Sequence, residues 1–293
     1  KYIDLSANSI NVGESFSIEN KIVLASTSGS SSMFELKNTF LPYGSTEDFG
    51  AIAVFSPDGT MLGICDREND AYSSNSGLVR IYNNTSGNWE QMGSDIYGST
   101  GDKLGNYICF SGDGTKFITS GFGRDSNKGY IVVYNYNSSV SDWEMYGNIQ
   151  LGNSSNDLFG VACSINNDGS KIVGVAQGSD YFRIYNYNSA NNTYTLSKTI
   201  NTEVGAPTWT GCQLSANGNL LLVAGTIYNG STGATIQTLL TANDLIITRA
   251  TSDMSTIATL SSRGGTSEAI TVRKSTNFTG WGSSILIPGS VVS

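Results

Sequence analysis

Asp58-Gly59-Thr60, Asp113-Gly114-Thr115 and Asp168-Gly169-Ser170 place one turn signal every 55 residues. Each stands between two runs of alternating apolar residues, and Asp-Gly in that setting is a hairpin turn, because Gly accepts the positive φ the turn requires. A repeat of this length means stacked supersecondary units, so it constrains the fold before any single motif does. Around each turn the columns agree. Gly50, Gly105 and Gly160 lie eight residues before the Asp, preceded by Phe49, Leu104 and Phe159. Phe55, Phe110 and Ile165 lie three before it. Weaker copies follow the same columns at Asn217-Gly218 after Leu214, at Asp253-Met254 after Ala250, and at Glu19-Asn20 after Phe16.

Each strong copy continues with a third strand, at Leu78–Tyr82, Tyr130–Tyr134 and Tyr181–Tyr185, and a fourth opening on an aromatic at Trp89, Trp143 or Tyr194. Four short strands per unit make one propeller blade. The strands are rich in Val, Ile, Tyr and Phe, and no stretch has a capped helical period, which excludes helical repeats of similar length. The expectation is all-β: a single β-propeller over residues 1–293, with six four-stranded blades starting near residues 11, 45, 101, 156, 205 and 245. The alternative is seven blades, one shared between the termini. Tyr2–Leu5 with Ile10–Gly13 reads as an outer strand, as does Trp281–Ile287, so 284–293 is either a blade edge or a linker strand that docks on a neighbour.

With 16 Lys and Arg against 24 Asp and Glu, the net charge is -8. The few bases form no cluster able to neutralise a phosphate backbone, so nucleic acid is excluded as a partner. His is absent, which removes Ser-His-Asp and Cys-His nucleophiles and two-His zinc sites. No apolar run is long enough to span a membrane, and the opening at Lys1 reads as a processed or trimmed terminus. Cys65, Cys109, Cys163 and Cys212 form no CxxC pair and are expected as free thiols in strands.

The columns from Phe49-Gly50 through Phe55-Ser56-Pro57-Asp58-Gly59-Thr60, Val79, Ile81-Tyr82 and Trp89, repeated from Leu104 and from Phe159, resemble the integrin-like FG-GAP β-propeller repeats of extracellular proteins. The resemblance covers about residues 45–200. It implies an adhesion or binding domain, and in many members calcium in the first hairpin of a blade. Here those loops are Ser-Pro-Asp-Gly, Ser-Gly-Asp-Gly, Asn-Asn-Asp-Gly and Ala-Asn-Gly, too short and too poor in carboxylates for the six to eight oxygens calcium takes. No cofactor is expected.

Three sets of side chains are candidate sites. Asp66, Glu68 and Asp70 alternate along an acidic loop as cation ligands do, although Arg67 competes with an ion there. Trp209 replaces the Gly of the repeat column and reads as an exposed aromatic for a ligand, whereas Trp89 and Trp143 recur at one repeat position as packing residues do. Sequons begin at Asn83, Asn84, Asn137, Asn153, Asn191, Asn229 and Asn277, which permits a secreted glycoprotein. The expected function is a non-enzymatic, extracellular, cell-surface structural or adhesion propeller, such as a filament or virion-surface subunit or one module of a longer chain. Its partners would be proteins, further copies of itself, or glycans. The alternative is a lectin-like or His-free carbohydrate-active propeller.

Overall fold

The structure, a computed structural model, describes residues 2–6, 9–13, 22–27, 34–40, 48–85, 87–202, 211–239, 245–263, 267–275 and 285–286. The protein is a β-propeller. Five antiparallel sheets follow one another along the chain, each with its strands in sequence order. We number these blades I to V by their first strands: Ile52–Phe55, Leu104–Phe110, Phe159–Ile165, Cys212–Leu214 and Leu245–Ala250. Tyr2–Ser6 pairs with Ser9–Gly13, and Ile22–Thr27 with Phe34–Phe40, as two separate two-stranded sheets where the first of the six blades was expected. Ile10–Gly13 is therefore the return strand of a hairpin, with Tyr2 opposite Gly13. At the other end, Ile285 and Leu286 pair with Val272 and Thr271 on the outer edge of blade V.

The turn between first and second strands explains why the repeat exists. Ser56 Oγ donates to Asp58 Oδ1 (2.6 Å) and accepts from Met61 N–H (2.9 Å), while Thr60 N–H also donates to Asp58 Oδ1 (3.1 Å). One serine and one carboxylate thus satisfy the backbone that the turn leaves unpaired. The device recurs with Ser111 and Asp113, Asn166 and Asp168, Ser215 and Asn217, and Thr251 and Asp253. The residue after the acid or amide takes φ of +73° at Gly59, +69° at Gly114, +76° at Gly169 and +69° at Gly218, and buried Met254 accepts +58° in blade V. The weak copies at Asn217-Gly218 and Asp253-Met254 are therefore real turns, while Glu19-Asn20 lies outside the described residues. They are also joined: Asp113 N–H donates to Asn167 O (3.0 Å), Asn167 N–H to Ala216 O (2.9 Å) and Ala216 N–H to Ser252 O (2.7 Å), so the turns of blades II to V form a belt.

At the opposite end of the first strand in blades I to III stands the repeated Gly. A Cβ on Gly105 would lie 2.7 Å from Leu78 O, and one on Gly160 2.5 Å from Tyr130 O, with φ of +90° and +95° at the two positions. Both sit where the pairing register shifts, between Leu104 and Tyr107 and between Phe159 and Ala162, which is a β-bulge. Phe55, Phe110, Ile165 and Leu214 pair with Leu62, Phe117, Ile172 and Leu221 and are equivalent, as the columns require; Phe16 lies outside the described residues. Phe117 is fully buried, with Phe110 and Trp143 packed edge-on against it, and Trp143 Nε1 donates to Met92 O (2.9 Å) of blade I. The expected blade-to-blade role of that tryptophan column is seen here. Among the described residues helix is confined to Arg124–Asn127, whose Asp125, Ser126 and Asn127 have φ of 51°, 61° and 62°, a left-handed turn.

Candidate functional site at the propeller axis

The first strands line the axis, and their side chains decide what the axis can bind. Across the five of them Arg249 is the one charged residue, and none holds a carboxylate. It occupies the next-to-last repeat position, shared with Val54, Cys109, Ser164 and Gln213. Two of these residues brace the next blade. Ser164 Oγ accepts from Leu214 N–H (2.9 Å), and Gln213 clasps Ala250 through Nε2 to the carbonyl (2.8 Å) and Oε1 from the N–H (3.0 Å). A first strand has an unpaired inner edge, and these side chains satisfy part of it.

Arg249 does something different. A Cβ on Gly211 would lie 3.0 Å from Tyr107 Oη and 3.2 Å from Arg249 Nη1. The phenol of blade II and the guanidinium of blade V therefore converge over bare backbone of blade IV, and Gly211, at φ +70°, leaves the room for both. Burial pushes the Tyr107 phenol up, and the Arg249 charge pulls against it. Burial likewise raises the Cys109 and Cys212 thiols, which the same guanidinium offsets. Tyr107 is therefore a neutral O–H at physiological pH. An exposed guanidinium beside a phenol O–H is an arrangement that favours an oxyanion.

The sites expected from sequence are placed elsewhere. Asp66 is fully buried with Oδ2 accepting from Asn69 Nδ2 (3.0 Å), Glu68 is bound by Lys103 Nζ (2.8 Å), and Asp70 accepts from Asn75 N–H (2.6 Å). The three carboxylates face three different partners, and no trio of His, Cys, Asp or Glu among the described residues is placed to share an ion. Arg67 pairs with Asp48 (2.9 Å) and also lies near Glu68 (3.7 Å), while Asp66 Oδ1 is buried without a hydrogen-bond partner. Trp209 and Asn277 lie outside the described residues. Of the other sequons, Asn153 and Asn191 are exposed, while Asn83, Asn84, Asn137 and Asn229 are half-buried. Asn84 and Asn229 use their side-chain oxygens on nearby N–H groups, and Asn153 is held by Arg183. All four cysteines are free, with Cys109 half-buried and the rest buried.

A groove of about 760 Å³ runs between blades IV and V, lined by Asn217, Asn219, Leu220, Asn229, Ile236 and Asp253. Asn217, Asn229 and Asp253 already serve their own turns, which leaves that groove few groups aimed at a ligand. Asp102 and Asp157, missed by the sequence reading, are buried on the loop face. Asp157 alone collects Tyr181 Oη (2.7 Å), Ser179 Oγ (2.6 Å) and Asn153 N–H (2.7 Å). They anchor loops, and their recurrence two residues before Leu104 and Phe159 was the available signal.

No family model matches the chain, and no curated protein matches it. Solved structures do match in fold. Sqt1 from Saccharomyces cerevisiae superposes at a TM-score of 0.60 with 16% identity, over 93% of this chain and 70% of that one. A Pseudomonas aeruginosa periplasmic gluconolactonase gives 0.58 and 15%, over 92% and 84%. A Bacteroides uniformis protein named as a 6-phosphogluconolactonase gives 0.57 and 13%, over 91% and 80%. At these identities the likeness defines the class, a β-propeller, and nothing narrower. The structural or adhesion assignment is corrected by this likeness: proteins named as lactonases share the architecture from which it was drawn, so the fold does not carry it. The expectation of a non-enzyme loses the same support. Among the described residues no helix is long and apolar enough to cross a membrane.

Proposed function

We propose that the chain binds a small oxyanion-bearing ligand, a carboxylate or a phosphate, at the propeller axis between Arg249 and Tyr107. One observation carries the reading: in a chain of net charge -8, the single charge on the five described first strands is positive and stands beside a phenol. A guanidinium presents two parallel N–H groups to a carboxylate or phosphate, and a phenol adds a third donor. Cys109, Ser164 and Gln213 give the rest of the wall a neutral, polar character. The names of the two bacterial neighbours make small polyhydroxy acids and their lactones the first ligands to try. No carboxylate on the five described first strands stands ready to activate water, so Arg249 and Tyr107 are assigned binding and orientation. We place the protein outside the cytoplasm on the strength of the exposed sequon at Asn191 and the periplasmic name of one neighbour.

Calorimetric titration with inorganic phosphate, gluconate and 6-phosphogluconate tests this. The wild-type chain should bind at least one of them, Arg249→Gln should weaken it about tenfold or more, as loss of a charged hydrogen bond does, and Arg249→Lys should restore part. Unchanged affinity in Arg249→Gln would overturn the reading.

A further inference from the structure

A second surface, far along the sequence from Arg249, has the makings of a recognition site. Tyr72, in the loop between the second and third strands of blade I, is 70% exposed, more than any other large apolar or aromatic residue among those described. It is nonetheless held in place. Its ring stacks on Tyr97 with centroids 5.5 Å apart and planes 20° from parallel. Tyr97 is fixed in turn: its hydroxyl donates to Asp95 Oδ2 (3.0 Å), and Asp95 is clamped by the buried Arg80 through Nε (2.6 Å) and Nη2. Burial pushes the Asp95 carboxyl up, yet Arg80, Tyr97 and Gln91 hold it below the ordinary carboxylate range, so this support is charged at neutral pH. An exposed aromatic ring on a fixed base presents area at little loss of side-chain entropy when it binds.

The charges around the ring select the ligand. Asp70, two residues away, is exposed. Arg67 is engaged by Asp48, Lys103 by Glu68 and Arg80 by Asp95. Asp70 is the exposed charge nearest Tyr72 along the chain, and it is negative. We propose that the Tyr72–Tyr97 stack is a docking platform for an arginine-bearing segment of a protein partner. The guanidinium lies flat on the exposed face of Tyr72 and the Asp70 carboxylate receives its N–H groups. Arg is favoured over Lys because only a planar cation stacks on the ring while bonding in its own plane.

The full-length chain and the short peptide Gly-Arg-Gly-Arg-Gly serve for the test, with affinity read by nuclear magnetic resonance titration. Tyr72→Ala should weaken binding about three- to tenfold, the range of an exposed cation–π contact with its hydrogen bond, and Tyr72→Phe should restore it. Asp70→Asn should weaken it comparably, whereas Glu144→Gln, a carboxylate on the outer strand of blade II, should not. The lysine peptide should bind more weakly and the citrulline peptide hardly at all. Equal binding by Tyr72→Ala, equal binding of the citrulline peptide, or a Tyr72-dependent preference for a neutral oligosaccharide would each overturn the proposal. Arg249→Gln should leave this affinity unchanged, so failure here and failure at the axis are separate results.

Discussion

Gly59 and Gly105 both hold positive φ, yet their surroundings differ, and the pair separates two costs. Around Gly59 (φ +73°) a Cβ would meet nothing, while at Gly105 (φ +90°) it would meet Leu78 O at 2.7 Å. Gly59→Ala should cost about 1–2 kcal/mol, the left-handed penalty alone, and Gly105→Ala about 2 kcal/mol more, since backbone must move; equilibrium denaturation reads both. Equal losses would mean that the blades do not meet at the bulge. The turn carboxylates give a second test at this scale. Burial raises Asp113, but Ser111, Thr115 and Lys116 together hold it below its ordinary 3.8. A carboxyl depressed in the folded state binds fewer protons there than when unfolded, so its contribution is complete above about pH 4–5 and is lost as pH falls through the depressed value. The stability gap between wild type and Asp113→Asn should therefore close on acidification below pH 4. A gap that stays constant would remove the charge from the account.

At the scale of elements, Phe117 and Trp143 connect sequence to packing. Phe117→Ala should cost about 3–5 kcal/mol as a fully buried aromatic, and Trp143→Phe about 1–2 kcal/mol for the hydrogen bond to Met92 O that ties blade II to blade I. Urea melts followed by circular dichroism would show both; a neutral Trp143→Phe would make that bond dispensable. The elements were largely legible in the chain. Hairpin chemistry is local, so Ser56, Asp58 and Gly59 announce a turn whatever surrounds them, and even Asp253-Met254 kept the pattern without its glycine. The outer strands were less legible. Trp89 to Ile96 reads as one strand, but Gly93, at φ +79°, breaks it into Asn88–Gln91 and Ile96–Tyr97, both paired with the same third strand. At the N-terminus the apolar alternation suits the paired hairpin of Tyr2–Ser6 with Ser9–Gly13 as well as a blade edge.

At the scale of the whole molecule, the axial site could not be read from sequence. Tyr107, Gly211 and Arg249 come from blades II, IV and V, and only the arrangement of those blades about the axis brings them together; each alone looks like an ordinary strand residue. The buried thiols follow from the same closure. Burial raises Cys65, Cys163 and Cys212, so in the native protein they should resist a thiol reagent at pH 8, with half-buried Cys109 reacting first and all four reacting in denaturant. The most direct test of the axial assignment is crystallographic: soak with selenate and collect at the selenium edge. The account predicts anomalous density within hydrogen-bonding distance of Arg249 and Tyr107 that is lost in Arg249→Gln. Selenate bound only elsewhere on the propeller, or retained at the axis without the guanidinium, would contradict it.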